Sequence, residues 1–168
     1  TLQGKEVAPL REVAIDVPLE GRIPEECVPD IADRIHLYQE ISNARDEDEL
    51  SDIQAELMKQ EQLWEGTALH PDVAGLLQIV LLKVIASKST LIAITTDYPN
   101  DVNRLSSPRI TLSSNEALPE LPDAWERIYE RGNLAFKARA LTTDLGENWM
   151  KTLQETVRLC TSHANQKE

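Results

Sequence analysis

The sequence predicts an α+β fold, a small mixed β-sheet with about five helices packed on it, in the order β-α-α-α-β-β-α-β-α. Three observations point there. Period-two alternation marks residues 12–19 and recurs late in the chain. Apolar stripes of helical period fill residues 30–86 and return near the C-terminus. Helices and strands do not alternate regularly, so the order fits neither a doubly wound parallel sheet nor a helical bundle.

Val13, Ile15 and Val17 alternate with Glu12, Ala14 and Asp16, the pattern of a half-buried strand, which Pro18 ends. The first helix starts at Asp30, after Pro29, with an apolar stripe of Ile31, Ile35, Tyr38 and Ile41 that Leu37 and Ala44 widen. Asp46 caps the second helix, and Glu49 three residues on completes a capping box. Its stripe runs Leu50, Ile53, Leu57 and Trp64. The third starts at Pro71, a favourable first helical residue, with His70 as a possible cap. Val73, Leu76, Leu77, Val80, Leu81, Val84 and Ile85 cover most of its circumference, so it should be a buried central helix with Val80 and Leu81 deep in the core.

Residues 91–96, rich in Ile and Thr, and residues 109–112 read as strands that pair as a hairpin across a turn region at 100–108. Asp123 is placed to cap a helix carrying Trp125, Ile128 and Tyr129, stopped by Gly132 and Asn133. Leu134, Phe136, Ala138 and Ala140 alternate with Lys137 and Arg139, a strand with one wet face. A final helix carries Trp149, Leu153, Val157 and Cys160, and residues 163–168 should fray.

Composition narrows the function classes. The chain is 41% hydrophobic but only 4% aromatic, so its core is aliphatic. A net charge of −12 opposes binding to nucleic-acid phosphates and to anionic membranes. It suits a basic protein partner, and it equally serves solubility; composition leaves both readings open. Cys27 and Cys160 form neither a disulfide framework nor a metal spacing, which fits a reducing cytoplasm. There is no secretory signal, and the longest apolar run, 73–86, is broken by Gln78 and Lys83 and is too short to span a membrane. The chain opens at Thr1 rather than Met, as a piece cut from something longer or freed from a tag would.

No chemistry-bearing motif emerges. Phosphate-cradling glycine loops are absent, so no cofactor is expected. His36, His70 and His163 lack ligand neighbours at metal spacing, and the Cys160–His163 pair reads as chance. The Ser106-Ser107 and Ser113-Ser114 pairs sit in no nucleophile elbow and suit turns. No catalytic residue is assigned. The most informative polar surface is on the second helix. Glu49, Asp52, Glu56 and Lys59 share one face at about 100° per residue, with Leu63 on the same side. Such a face is either solvated or a protein interface.

Residues 23–57 carry a denser signal: Ile23-Pro24, Val28-Pro29-Asp30, Arg34-Ile35, Leu37-Tyr38, Ile41 and Ala44, then Glu49-Leu50, Ile53 and Glu56-Leu57 after a short acidic linker. In kind and spacing this resembles the C-terminal domain of bacterial transcription-repair coupling factors, over about a fifth of the chain. The resemblance implies that residues 1–11 are a junction to an upstream helicase-like module, residues 12–162 a single α+β regulatory domain, and residues 163–168 a tail. It implies a parent that is an ATP-dependent DNA translocase, which releases stalled RNA polymerase and recruits excision repair. The domain itself would be non-catalytic. It would mask the parent's own N-terminal UvrB-like module, and so its UvrA-binding surface, through acidic positions on the second helix. UvrA and RNA polymerase would be indirect partners. The interface residues carried over are Glu49, Asp52, Glu56, Lys59 and Leu63.

The sequence departs from that family at the end of this helix. Lys59 stands where the family has Asp, the following Arg-Phe-Gly is missing, and about six extra residues precede Pro71. The expected consequence is a longer second helix and a weaker or rewired contact. A rival from another class is a stand-alone small-molecule-binding or enzymatic α+β domain, which a concave apolar pocket with convergent polar groups would favour.

Overall fold

A five-stranded sheet, with helices against one of its faces, organises this computed structural model, which describes residues 11–99, 107–129 and 136–161. The chain enters as strand β1 (Ala14–Ile15), then forms helices α1 (Ile31–Ser42) and α2 (Glu47–Leu57). A small hairpin of β2 (Trp64–Glu65) and β3 (Ala68–Leu69) leads into helix α3 (Pro71–Ser87). Strands β4 (Leu91–Asp97), β5 (Arg109–Ser114), β6 (Glu126–Ile128) and β7 (Lys137–Leu141) follow, then helices α4 (Thr142–Leu145) and α5 (Trp149–Leu159).

The sheet order is β1-β4-β5-β7-β6. Only the β1–β4 pairing is parallel, with Ala14 opposite Ala93; the other described ladders are antiparallel. The expected 91–96 and 109–112 hairpin forms, with Asp97 opposite Arg109 and their side chains joined by two hydrogen bonds of 3.1 and 2.6 Å. The period-two pattern sets which face is dry. Ile94, Ile110, Leu112, Ala138 and Ala140 are buried against α3 and α5, while Thr95, Thr111 and Arg139 alternate to the other side.

Two apolar cores result. One joins the sheet to Leu82, Ile85 and Ala86 of α3 and to Met150, Leu153 and Val157 of α5. The other gathers Ile23, Val28, Ile41, Leu50, Leu57 and Leu63 onto Val73, Leu76, Leu77, Val80 and Val84 of α3. Hence α3 is apolar nearly all round, as expected for a central helix. Its deepest leucine is Leu82, which is fully buried; Leu81, expected there, is half-buried and touches both cores. Near its start α3 is crossed by the 20–21 segment at backbone distance. A Cβ on Gly75 would lie 2.1 Å from the Glu20 carbonyl oxygen, and one on Gly21 would lie 2.9 Å from Leu76 Cα, so both crossing points require glycine.

Three expectations are corrected. The second helix does not run to Trp64. It ends at Leu57; a 3-10 turn (Glu61–Leu63) follows, and Trp64 opens the hairpin with its indole N–H donating to the Met58 carbonyl. The extra residues before Pro71 thus build a hairpin, whose turn Gly66 permits with φ of +73°. Residues 123–129 are not helical. Residues 126–128 pair with β7, and buried Trp125 donates its indole N–H to Thr156 Oγ1 at 3.1 Å, so tertiary pairing overrides the capping signal of Asp123. The fourth helix instead follows β7 as α4, closed by Gly146 at φ +100°. Finally, Ile31 and Ile35 are 65% and 50% exposed rather than buried. The buried side of α1 is set by Leu37, Tyr38 and Ile41, and at about 100° per residue Ile31 and Ile35 lie about 80° and 120° away from Ile41. Gly132, Asn133, Leu134 and residues 163–168 fall outside the described residues, as does most of the 100–108 turn region.

Candidate docking face

Helix α2 is built from its start. Asp46 accepts the Glu49 N–H at 2.8 Å, and Glu49 Oε2 accepts the Arg45 N–H at 2.8 Å, so the capping box closes one residue further out than its usual form. Glu47, Asp48 and Glu49 all lie in the first turn, where the helix dipole favours anions. Leu50 and Leu57 are buried and Ile53 half-buried, which fixes the helix's rotation. Glu49, Asp52 and Glu56 then share an exposed flank, as their spacing requires. Glu49 is tied to the helix start by its cap, whereas Glu56 and Asp52 stand clear of it.

Lys59 lies just past the helix, yet its Nζ sits 3.3 Å from Glu56 Oε1, with both side chains largely exposed. The face therefore contains a cation that offsets one of its three acids. Leu63 is brought elsewhere: it is fully buried in the helical core and presents nothing to this face.

Glu47 points away from the flank, and both its carboxylate oxygens accept from Arg158 of α5 at 2.7 Å. The Arg158 hydrogen bond holds the Glu47 carboxyl below its ordinary value, although partial burial opposes the shift. This pair ties the start of α2 to the end of α5. Motif reading missed it because it joins residues 111 apart in sequence.

Acidity is concentrated in one segment of the chain. Residues 12–70 hold sixteen Asp and Glu against four Lys and Arg, a net charge of −12, equal to that of the whole chain. Those cations are engaged at home. Arg22 pairs with Asp72, Arg34 donates to the Val28 and Pro29 carbonyls, and Lys59 pairs with Glu56. The remainder of the chain is neutral overall.

Other groups have structural roles. His70 caps α3, its Nδ1 accepting the Asp72 N–H at 3.1 Å. Cys160 is buried, and burial pushes its thiol up to about 11; Cys27 is raised by burial and then by the nearby Glu26 and Glu65 carboxylates. Both shifts disfavour the reactive thiolate. Among the described residues no cluster of three His, Cys, Asp or Glu side chains could hold a metal ion, and no helix is long and apolar enough to cross a membrane. Two clefts, of about 220 and 240 Å³, lie beside the Glu47–Arg158 pair and beside Arg109, Glu126 and Arg139. Both are smaller than the usual small-molecule pocket of about 300–1,000 Å³.

Comparison with known proteins bears on the identity of this architecture. The fold is similar to the crystal structure of the C-terminal domain of transcription-repair coupling factor, with a TM-score of 0.64 over 94% of this chain and 97% of that one. Sequence identity there is 14%, so this likeness establishes the fold alone. No curated protein matches the chain by sequence. The TRCF domain family, however, matches residues 17–107, more than half of the chain, and that stretch contains α1, α2, α3 and the whole acidic segment from Val17 onward. The chain belongs to the TRCF domain family.

Proposed function

We propose that this chain is the non-catalytic regulatory domain of a bacterial, cytoplasmic transcription-repair coupling factor, and that it needs no cofactor of its own. Its α2 flank would dock on a basic surface of the parent's N-terminal UvrB-like module and hide the UvrA-binding surface in the resting state. The parent would be an ATP-dependent DNA translocase acting on stalled RNA polymerase. One observation carries the reading: in a TRCF-family chain, α2 holds Glu49, Asp52 and Glu56 together and exposed, inside a segment that carries the chain's entire net charge.

Masking of this kind is a coupling free energy between an internal contact and an external partner. Lys59 weakens the acidic flank without abolishing it, since one cation faces three acids. The test is binding in trans between this domain and the N-terminal module. Glu56→Lys should lower affinity by up to about tenfold, because each exposed charge pair contributes about 0–1 kcal/mol. Lys59→Asp should act in the opposite direction and reduce recovery of UvrA by the full-length protein without DNA or polymerase. Unchanged binding by a folded Glu56→Lys domain would show the flank to be merely solvated.

A further inference from the structure

Strand β1 ends the sheet on one side, and its bonding shows which backbone groups face out. The Asp16 N–H donates to the Ile94 carbonyl at 2.8 Å, and the Asp16 carbonyl accepts the Thr96 hydroxyl at 2.6 Å. Both backbone groups of Asp16 thus face β4. Beside a parallel neighbour, successive residues of a strand turn their N–H and C=O to opposite sides. Those of Val13 and Ile15 therefore point away from β4, beyond the last strand of the sheet. Among the described residues they find no backbone partner on that side. Side chains alternate in step. Val13 is buried, Ile15 and Val17 are half-buried at the rim of the sheet core, and Glu12, Ala14 and Asp16 are exposed on the opposite face. Elsewhere on that face each strand acid is answered by an arginine of the next strand, Asp97 by Arg109 and Glu126 by Arg139. At β1 the register continues to Thr95 beside Asp16, which offers no charge. Arg11, next to Glu12 in sequence, is turned onto the Ala86 and Ser89 carbonyls. Among the described residues Glu12 and Asp16 form no ion pair.

We propose that this edge takes an added strand, an extended basic segment of a partner protein. Its main chain bonds to the outward N–H and C=O groups of Val13 and Ile15. Its apolar residues lie beside Ile15 and Val17, and lysines or arginines at the alternate positions face Glu12 and Asp16. In strand addition the main-chain bonds supply affinity and the alternating side chains supply selection. Charge selects the occupant here. The sheet pairs acid with arginine across its strands, and at β1 the described residues supply only the acids. An acidic segment would be repelled. A second copy paired antiparallel about Ala14 would set Glu12 against Asp16, so these acids also guard the edge against pairing with itself. The inference does not rest on the masking role of α2, and its substitutions leave Glu49, Asp52 and Glu56 untouched.

The test uses the whole 168-residue chain and a synthetic peptide of alternating valine and lysine, capped at both ends. One control peptide carries N-methyl groups along one backbone edge, which removes the N–H donors but keeps every charge. A second replaces the lysines by glutamate. Binding is followed by peptide fluorescence anisotropy and by amide hydrogen exchange of the isotopically labelled chain. The valine–lysine peptide should bind, with affinity that falls as salt rises. The Val13 and Ile15 amides should gain exchange protection, while that of Asp16, already bonded to Ile94, changes little. Asp16→Lys should weaken binding by up to about tenfold, and should fold normally because the side chain is exposed. Equal binding by the N-methylated peptide would mean that acidity alone attracts it. No binding, equal binding by the glutamate peptide, or protection centred elsewhere would each place no basic strand on this edge. Any of these results overturns the proposal. Full protection of Val13 and Ile15 in the free chain also overturns it, since the edge is then already taken; sedimentation tells whether a second copy or the chain itself takes it.

Discussion

The helical half and the sheet half of this molecule share one helix and little else. In the helical half α1, α2 and the hairpin bury a leucine- and isoleucine-rich core on the front of α3, and almost every acid faces water. In the sheet half the strands and α5 close on Leu82, Ile85 and Ala86 at the back of α3, and the residues from 71 onward hold twelve acids against eleven Lys and Arg. Cross-strand pairs such as Asp97–Arg109 and Glu126–Arg139 neutralise one another there. The difference teaches a division of labour. The sheet half balances its own charge, while the helical half leaves its charge for something outside it.

That division predicts one cooperative unit with two faces, because α3 belongs to both cores. Leu82→Ala should have the largest effect, about 2–5 kcal/mol, since it opens a cavity at a fully buried site. Leu81→Ala should cost clearly less, its side chain being half-buried. The measurement is a denaturant melt read by far-UV circular dichroism, dominated by the helices, and by fluorescence of the tryptophans, among them buried Trp125 of the sheet half. Coincident transitions for Leu82→Ala sharpen the comparison; separated transitions break it by making the halves independent folding units.

Next in size is Gly75→Ala. The new methyl would meet the Glu20 carbonyl oxygen at 2.1 Å, and backbone cannot swing aside as a side chain can. Overpacking of this kind costs about 1–3 kcal/mol. The crossing segment joins β1 to α1, so the amides of residues 20–23 should lose hydrogen-exchange protection before those of the sheet. A variant as stable as the parent would mean that the crossing relaxes freely and does not fix how the halves meet.

The two halves were also unequally legible. Helices α1, α2 and α3 are announced by local devices: Asp30 and Asp46 as caps, Pro71 at a first turn, and a dense pattern from Ile23 to Leu57. Rotation and length are not announced by such devices. A stripe does not say which of its members stays outside, and here Ile31 and Ile35 do. A stripe also does not stop where a 3-10 turn intervenes, and that turn carries Leu63 into the core and away from the face its spacing suggests. In the sheet half the 91–96 and 109–112 hairpin is local and was readable. Strand β6 was not, because three residues acquire their conformation from β7 and from Trp125 anchored on Thr156. Of the candidate face, Glu49, Asp52 and Glu56 follow from spacing alone, whereas the Glu47–Arg158 tie between the halves has no sequence signal.

That tie supplies the smallest expected effect. Arg158 joins the last turn of α5 to the first turn of α2, the turn that also carries Glu49. Both side chains are 41–47% exposed, so Arg158→Gln should cost only about 0–1 kcal/mol at neutral pH, and less in high salt. Its pH dependence is the sharper reading. Arg158 holds the Glu47 carboxyl below its ordinary value, so the folded state favours the carboxylate. The stabilisation is then fully present above the unfolded glutamate value of about 4.3 and is lost as pH falls through the lower folded value. Melting temperatures of the parent and Arg158→Gln should differ by a constant amount near neutrality and converge in acid below about pH 4. A difference that persists undiminished at low pH would assign the effect to packing of the arginine stem rather than to the ion pair. No difference at any pH would mean that α2 is held on α3 by Leu50 and Leu57 alone, and that the helical half carries its acidic flank without help from the sheet half.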